Sequence, residues 1–209
     1  MKSYQIAIEG NDGAGKSSLI KLLSKYLKSR GYKVRVLRYN MSFITLPAIK
    51  EGKKRKFSPE LNTLLHYLSI KDQQERLAKN VDFIIWDRYK YSVYSRGKAR
   101  NTDQAVLDFV LNDCASPDLT IYLDIDPNLS LKRLNGAINY WEAGLDIYNN
   151  LTIKEAFQKF QSSTRKEFIK ILSPSNNTYL LNVKEGQSIR ETLRECINII
   201  NVQRKGVIK

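Results

Sequence analysis

Glu9-Gly10-Asn11-Asp12-Gly13-Ala14-Gly15-Lys16-Ser17-Ser18 is the stretch that decides the reading of this chain. Gly10 to Ser17 matches G-x-x-x-x-G-K-[ST] in full. An apolar strand candidate, Tyr4 to Ile8, precedes it. An amphipathic stripe follows, with Leu19, Leu22, Leu23, Tyr26 and Leu27 at i, i+3, i+4, i+7 and i+8, ending near Gly31. Strand, glycine-rich turn and helix in that order make a phosphate-binding loop. The glycines let the backbone fold tightly, so that successive amide hydrogens point at one phosphate chain while the helix adds the positive end of its dipole. Gly10, Asn11, Asp12, Gly13, Ala14, Gly15, Lys16, Ser17 and Ser18 are therefore the nucleotide-binding candidates. Lys16 is placed to reach the terminal phosphates as a compact charge, and the Ser17 hydroxyl to bind Mg²⁺.

Outward from the loop, strand and helix alternate, which predicts a mainly parallel sheet covered on both faces. Strands are expected at Lys33 to Leu37, Val81 to Trp86, Leu119 to Leu123 and Thr178 to Val183, giving five with the first. Helices are expected from Ser58-Pro59 to about Leu77, near 89–97 and 102–113, at Pro127 to Leu134, at Ile153 to Leu172, and from Ser188 to about Val202. Ser188 with Glu191 has the spacing of a capping box. Residues 39–57 show no clear periodicity and read as a loop or short helix. Residues 135–151 contain Gly136, Gly144 and the run Asn139-Tyr140-Trp141, which suits a mobile flap over a site, with Glu142 and Asp146 as solvated charges. Without repeat or linker, residues 1–209 read as one domain.

Composition narrows the class. With 209 residues and 42% hydrophobic content the chain can build one substantial core. No apolar run approaches the roughly 18 to 20 residues that a bilayer span needs, and Met1-Lys2-Ser3-Tyr4-Gln5 has no apolar stretch of signal-peptide type. A soluble, cytoplasmic protein without a membrane partner is expected. Cys114 and Cys196 match no paired metal-site spacing and read as small core residues. The net charge of +14 favours polyanions such as nucleotides or nucleic acid without choosing between them. Basic residues are spread along the chain, clustering at Lys50 to Lys56, so a dedicated nucleic-acid patch is weakly supported.

Asp87-Arg88 follows the buried strand Val81 to Trp86. An aspartate at the carboxyl end of a strand beside the phosphate loop is well placed to hold the water shell of magnesium. Arg88 next to it can fork onto an acceptor phosphate, a bidentate contact that lysine does not reproduce.

At this point the chain resembles the thymidylate kinase family of phosphate-loop nucleoside monophosphate kinases. Glu9 to Ser18 looks like its opening E-G-x-D-G-A-G-K-[ST]-T, Asp87-Arg88-Tyr89 with Ser92 like its D-R-Y-x-x-S, and Pro117 to Pro127 like its P-D-L-x-x-x-L-D-x-x-P. The likeness runs from about residue 4 to about residue 200. It implies a three-layer sandwich around a five-stranded parallel sheet with a lid segment, and transfer of the ATP γ-phosphoryl to dTMP with Mg²⁺, giving dTDP, in a homodimer. Lys16, Asp87, Arg88 and Arg133 are the implied catalytic groups, with Ser17 and Asp87 at the metal. Asp12 is implied at the sugar 3′-hydroxyl, Arg38 and Arg88 at the acceptor phosphate, and Arg96 near the base. The family's F-A-x-[DN]-R stretch, an aromatic ring stacked on the base and an arginine at its edge, is best matched by Tyr67-Leu68-Ser69-Ile70-Lys71, which assigns Tyr67 and Lys71 to base reading. His66 beside it reads as a helix-surface residue.

One departure concerns the cations. Family members take a catalytic arginine from the loop or from the lid, yet this loop has Gly13 there, and 135–151 holds no Lys or Arg. Lys132 and Arg133 remain at the lid's leading edge. Two rivals stay open: a paralogous kinase with another acceptor, and a phosphate-loop module without turnover that uses its basic surface for nucleic acid.

Overall fold

The computed structural model describes residues 3–77, 80–172 and 177–204. Its sheet consists of β1 (Tyr4–Gly10), β2 (Val34–Arg38), β3 (Phe83–Asp87), β4 (Leu119–Ile125) and β5 (Thr178–Val183), in the spatial order β2-β3-β1-β4-β5 with every neighbouring pair parallel. The five expected strands are all present, with ends shifted by one or two residues. Around them lie α1 (Lys16–Ser29), α2 (Leu46–Arg55), α3 (Pro59–Glu75), α4 (Lys90–Lys98), α5 (Gln104–Asp113), α6 (Pro127–Leu134), α7 (Tyr140–Ala143), α8 (Ile153–Leu172) and α9 (Ile189–Gln203). The aperiodic stretch 39–57 thus contains a helix, α2, entered through Pro47 in its first turn.

Strand side chains alternate between faces, and both faces of this sheet are covered. Ile6 and Ile8 join Leu19, Leu23, Cys196 and Ile200 of α1 and α9 on one face, while Ala7, Ile84 and Trp86 join Tyr67, Tyr89 and Val93 of α3 and α4 on the other. Both cysteines are free and buried, as small core residues. Ser188 accepts from the Glu191 amide while the Glu191 carboxylate accepts from the Ser188 amide, the expected capping box of α9. β1 lies between β3 and β4, so the chain leaves the sheet in opposite directions on its two sides. Ligands of such sheets sit in the crevice outside the carboxyl ends of those strands. Gly10 and Asp87 stand there.

The segment 135–151 packs part of itself against α8. Ala143 is fully buried against Ala156 and Phe157 of α8, with Leu134, Ile138, Leu145, Tyr148 and Leu151 around it. Asp146, expected to be solvated, is 13% exposed and ion-paired to Arg100, Nε to Oδ2 2.7 Å. Gly144 lets α7 approach α8: its φ is +70°, and a Cβ there would stand 2.7 Å from the Phe160 side chain. Gly144→Ala is therefore expected to lower unfolding free energy by about 1–3 kcal/mol through overpacking and positive-φ strain. Urea unfolding followed by circular dichroism checks this, and a stability equal to wild type would show that the segment yields without cost.

Candidate active site

The loop itself is shaped by three positive-φ glycines. Gly10 (φ +143°) passes so close to β4 that a Cβ would meet the Leu123 carbonyl at 2.7 Å, and a Cβ at Gly13 (φ +79°) would stand 2.6 Å from Ser130 Oγ of α6. Gly15 (φ +90°) turns the chain into α1. Ser130 Oγ donates to the Asp12 carbonyl and fixes the loop from outside. Lys16 folds back over the loop and donates from Nζ to the Asn11 carbonyl at 2.6 Å. Burial and the Arg88 guanidinium push its pKa down to about 7.

A cleft of about 390 Å³ opens along the loop, lined by Asp12, Gly13, Gly15, Lys16, Ser17 and Ser18 on one side and by Arg38, Asp87, Arg88 and Arg96 on the other. The expected phosphate, metal and acceptor groups thus share one cavity, although they come from residues 12 to 96. Arg38 Nε lies 3.3 Å from Asp87 Oδ2, a pairing that β2 and β3 produce by placing Arg38 and Asp87 in register. Arg88 is a non-glycine residue with φ +67°. Its Nη1 donates to the Gly10 carbonyl at 2.8 Å, and its Nη2 pairs with Asp12 Oδ1. Strain of this kind persists only where the surroundings fix it. Glu9 supplies part of that: fully buried, it accepts from the Tyr89 amide at 2.9 Å, the Ser92 amide at 3.2 Å and the Ser92 hydroxyl. Burial raises the Glu9 carboxyl to about pH 7, against the lowering pull of Ser92 and Arg88.

Asp12 is the meeting point. Besides Arg88 it receives Arg96 Nη1 at 2.9 Å and Gln161 Nε2 at 2.9 Å, both on Oδ2. Burial alone would raise its pKa, but Arg96, Arg88 and Lys16 outweigh it and hold the carboxyl well below the usual range. Gln161 of α8 also accepts from the Asp12 amide at 3.2 Å and donates to the Glu142 carbonyl at 2.9 Å, joining loop and lid. Arg100 completes the clamp from α4's end, donating to the Trp141 carbonyl at 3.0 Å and lying over the Phe160 ring at 4.3 Å. Neither Gln161 nor Arg100 carries a local sequence signal, because each acts on groups remote in the chain.

Three assignments are corrected. Tyr67 faces the core: its hydroxyl donates to Asp113 Oδ2 at 2.6 Å and its ring meets Phe109 edge-on. Lys71 pairs with the same carboxylate at 2.9 Å. The slot next to the cleft is lined instead by Asn62, Thr63 and His66 of α3, with Tyr39, Ser92, Arg96, Arg100 and Trp141. One residue is about 100° on a helix, so His66 and Tyr67 face different ways. The ring that α3 gives to the slot is His66, stacked on Tyr39 at 4.9 Å and 19°. Its Nδ1 lies 2.6 Å from the Asn62 carbonyl, and burial pushes its pKa down to about 4, so the ring is neutral. Arg133, third, turns away from the cleft and donates to the Lys184 carbonyl at 3.0 Å, because it lies on the solvent side of α6.

The comparisons agree with this geometry. The family model for thymidylate kinase matches residues 8–196. A probable thymidylate kinase 2 of Saccharolobus solfataricus is 31% identical, covering 95% of this chain and 99% of its own. The thymidylate kinase of Alteromonas mediterranea is 29% identical over 96% and 90%. In fold, the chain resembles the solved thymidylate kinase of Candida albicans with a TM-score of 0.75 over 98% of this chain and 94% of that one, at 21% identity. On the family match, the full-length relatives and the loop geometry together, the chain belongs to the thymidylate kinase family and is a kinase that phosphorylates dTMP to dTDP.

Proposed function

We propose that this cleft takes ATP as donor, with Mg²⁺, and that Arg38 and Arg88 hold the phosphate of dTMP in line with the ATP γ-phosphorus. The observation that carries this reading is the convergence of Lys16, Ser17, Asp87, Arg38 and Arg88 on one cavity. The transfer asks little covalent work of the protein and much positioning and charge neutralisation. Loop amides and Lys16 take the donor phosphates. Arg88, held by the Gly10 carbonyl and Asp12, lines the cleft where the acceptor phosphate is placed. Asp12, at the inner end of the cleft, is the group for the sugar 3′-hydroxyl, and Arg96 closes the same corner.

The donor set suits magnesium that arrives with phosphates. Among the described residues no cluster of three His, Cys, Asp or Glu is poised for a metal. Ser17 and Asp87 in one cleft are what an ion keeping most of its waters needs, since Mg²⁺ is usually bound through one or two protein groups plus substrate phosphates. Such an ion neutralises charge between the phosphates.

The slot between α3, α4 and the lid is the place for the thymine ring, with neutral His66 as its aromatic wall. The resemblance further supports a homodimer in the cytoplasm. Leu61 and Leu68 of α3 and Phe109 of α5, each more than 40% exposed, offer apolar surface for a second copy. No helix of the described residues is long and apolar enough to cross a membrane.

With ATP and Mg²⁺, a panel of nucleoside monophosphates should release ADP fastest with dTMP, and a purine monophosphate as best acceptor would overturn the reading. His66→Ala is expected to weaken dTMP binding by about 1–3 kcal/mol, the usual range for base stacking on aromatic side chains. Tyr67→Phe should leave it within about twofold of wild type, because only a hydroxyl pointing to Asp113 is lost. Calorimetric titration of the two variants checks both expectations. Unchanged dTMP affinity in His66→Ala would remove His66 from base reading.

A pH dependence follows from Lys16. In the free protein its pKa is lowered to about 7, whereas beside phosphates the charged form is favoured. ATP affinity should be flat below pH 7 and weaken by up to about tenfold per unit above it, with proton uptake on binding. Titration in buffers of different ionisation enthalpy reads that uptake. Lys16→Arg stays charged and should abolish the slope, and an unchanged slope would place the titrating group elsewhere.

A further inference from the structure

A phosphoryl group in flight spreads charge over three oxygens, and this chain supplies no cation for it from the usual directions. Gly13 has no side chain to offer. The lid, 135–151, contains no Lys or Arg. Arg133 is committed to the Lys184 carbonyl and Lys132 to Glu185, both on the outer side of α6. Within the cleft, Lys16 is assigned above to the donor phosphates and Arg38 and Arg88 to the acceptor phosphate, while Arg96 is paired to Asp12. The cleft has one further cation, and it comes from an element to which the motifs assign nothing.

Lys53 stands on α2, one helical turn after Ile49, so the two share a face. That face points inward: Ile49 is 2% exposed. Gly52 beside it is packed so tightly that a Cβ would lie 2.8 Å from the Phe57 ring and 3.2 Å from Asn62 Oδ1 of α3, which fixes the backbone that carries Lys53. The side chain is exposed to solvent and lines both the phosphate cleft and the adjoining slot, so it stands on the acceptor side of the cleft in which the phosphates are placed above. Among the described residues no carboxylate lies within 4 Å of its ammonium. Glu142 and Asp12 attract it from a longer distance while Arg96 and Arg100 repel it. A compact charge on a flexible four-carbon stem, held on a fixed backbone and not tied down by an ion pair, is free to follow a moving anion.

We propose that Lys53 is a catalytic cation of this kinase, reaching the transferred phosphoryl group from α2 in place of a loop or lid arginine. An oxygen of the dTMP phosphate bonds to the γ-phosphorus as the bond from that phosphorus to the β,γ-bridging oxygen breaks. The electron pair of that bond leaves with ADP. Lys53 keeps its proton throughout and balances charge on the equatorial oxygens. Burial and Arg96 lower its pKa, and phosphates beside it act in the opposite direction.

This inference rests on the ATP-dependent transfer proposed above, and wild-type turnover of ATP and dTMP with Mg²⁺ is measured beside every variant. Lys53→Ala and Lys53→Met, the second keeping the apolar stem, should lower kcat by about 100-fold or more with both KM values within about threefold, as for loss of one preorganised charge at a developing anion. Lys53→Arg should recover at least a tenth of wild-type kcat. Lys54→Ala, on the neighbouring outward face of α2, should match wild type. Binding gives a readout apart from turnover. The complex of ADP, Mg²⁺, aluminium fluoride and dTMP, which mimics the phosphoryl in flight, should weaken in Lys53→Met by a factor similar to the loss in kcat, while affinities for ADP and dTMP alone stay within about threefold. Unchanged kcat in Lys53→Met overturns the proposal. A raised KM for dTMP at unchanged kcat also overturns it, since Lys53 would then only hold the acceptor. Absence of turnover in the wild type would sink both readings.

Discussion

The site depends on one buried carboxylate. Asp12 sits at the end of the phosphate loop and is held by Arg88 and Arg96 of the β3–α4 region and by Gln161 of α8. Taking any of these charges out of water alone costs several kcal/mol, so each is tolerable only beside the others. The consequence is geometric. Two arginines on consecutive parts of the chain are drawn to one point, and that point is where a nucleotide loop and an acceptor pocket meet. The left-handed backbone of Arg88 is bearable because Glu9 and Asp12 fix both ends of it, the one through the Tyr89 and Ser92 amides and the other through the guanidinium.

The same carboxylate extends its hold to the lid. Gln161 bridges Asp12 to the Glu142 carbonyl, and Arg96 and Arg100 both donate to the Trp141 carbonyl. A lid with no cations of its own is therefore held down by cations of the body acting on its backbone. This explains how 135–151 forms an ordered cover despite a composition of turn formers and aromatics. It also inverts a common arrangement, since charge flows from the body toward the lid. A lid that brings no positive charge leaves room at the joint of the two cavities for one from α2.

How much of this was legible in the sequence follows from how far each signal travels along the chain. The phosphate loop, the strand before it and the stripe after it are contiguous, and they made both the fold and the candidate nucleotide loop legible. Asp87 and Arg88 were legible because a buried strand ending in charge has few other places to point. Tyr67 was misread because the choice between neighbours on a helix is a rotation of about 100°, and aromatic character alone does not set it. The core needed a large ring on that face of α3, and the slot received His66. Gln161 and Arg100 were not legible at all. Gln161 reaches Asp12 across 149 residues and Arg100 reaches Asp146 across 46, and no periodicity encodes a contact of that kind.

α2 carries the proposed cation without a motif. Residues 50–56 read K-E-G-K-K-R-K, a run whose simplest meaning is a solvated basic face. The helix sorts that run. Ile49 and Gly52 are buried where α2 seats on α3, and the position four after Ile49, itself exposed to solvent, lines the cleft. The overall charge of +14 therefore gives little guidance to function here. Most of those charges solvate the surface, and Lys53 differs from its neighbours on α2 because its position on the helix lines the cleft.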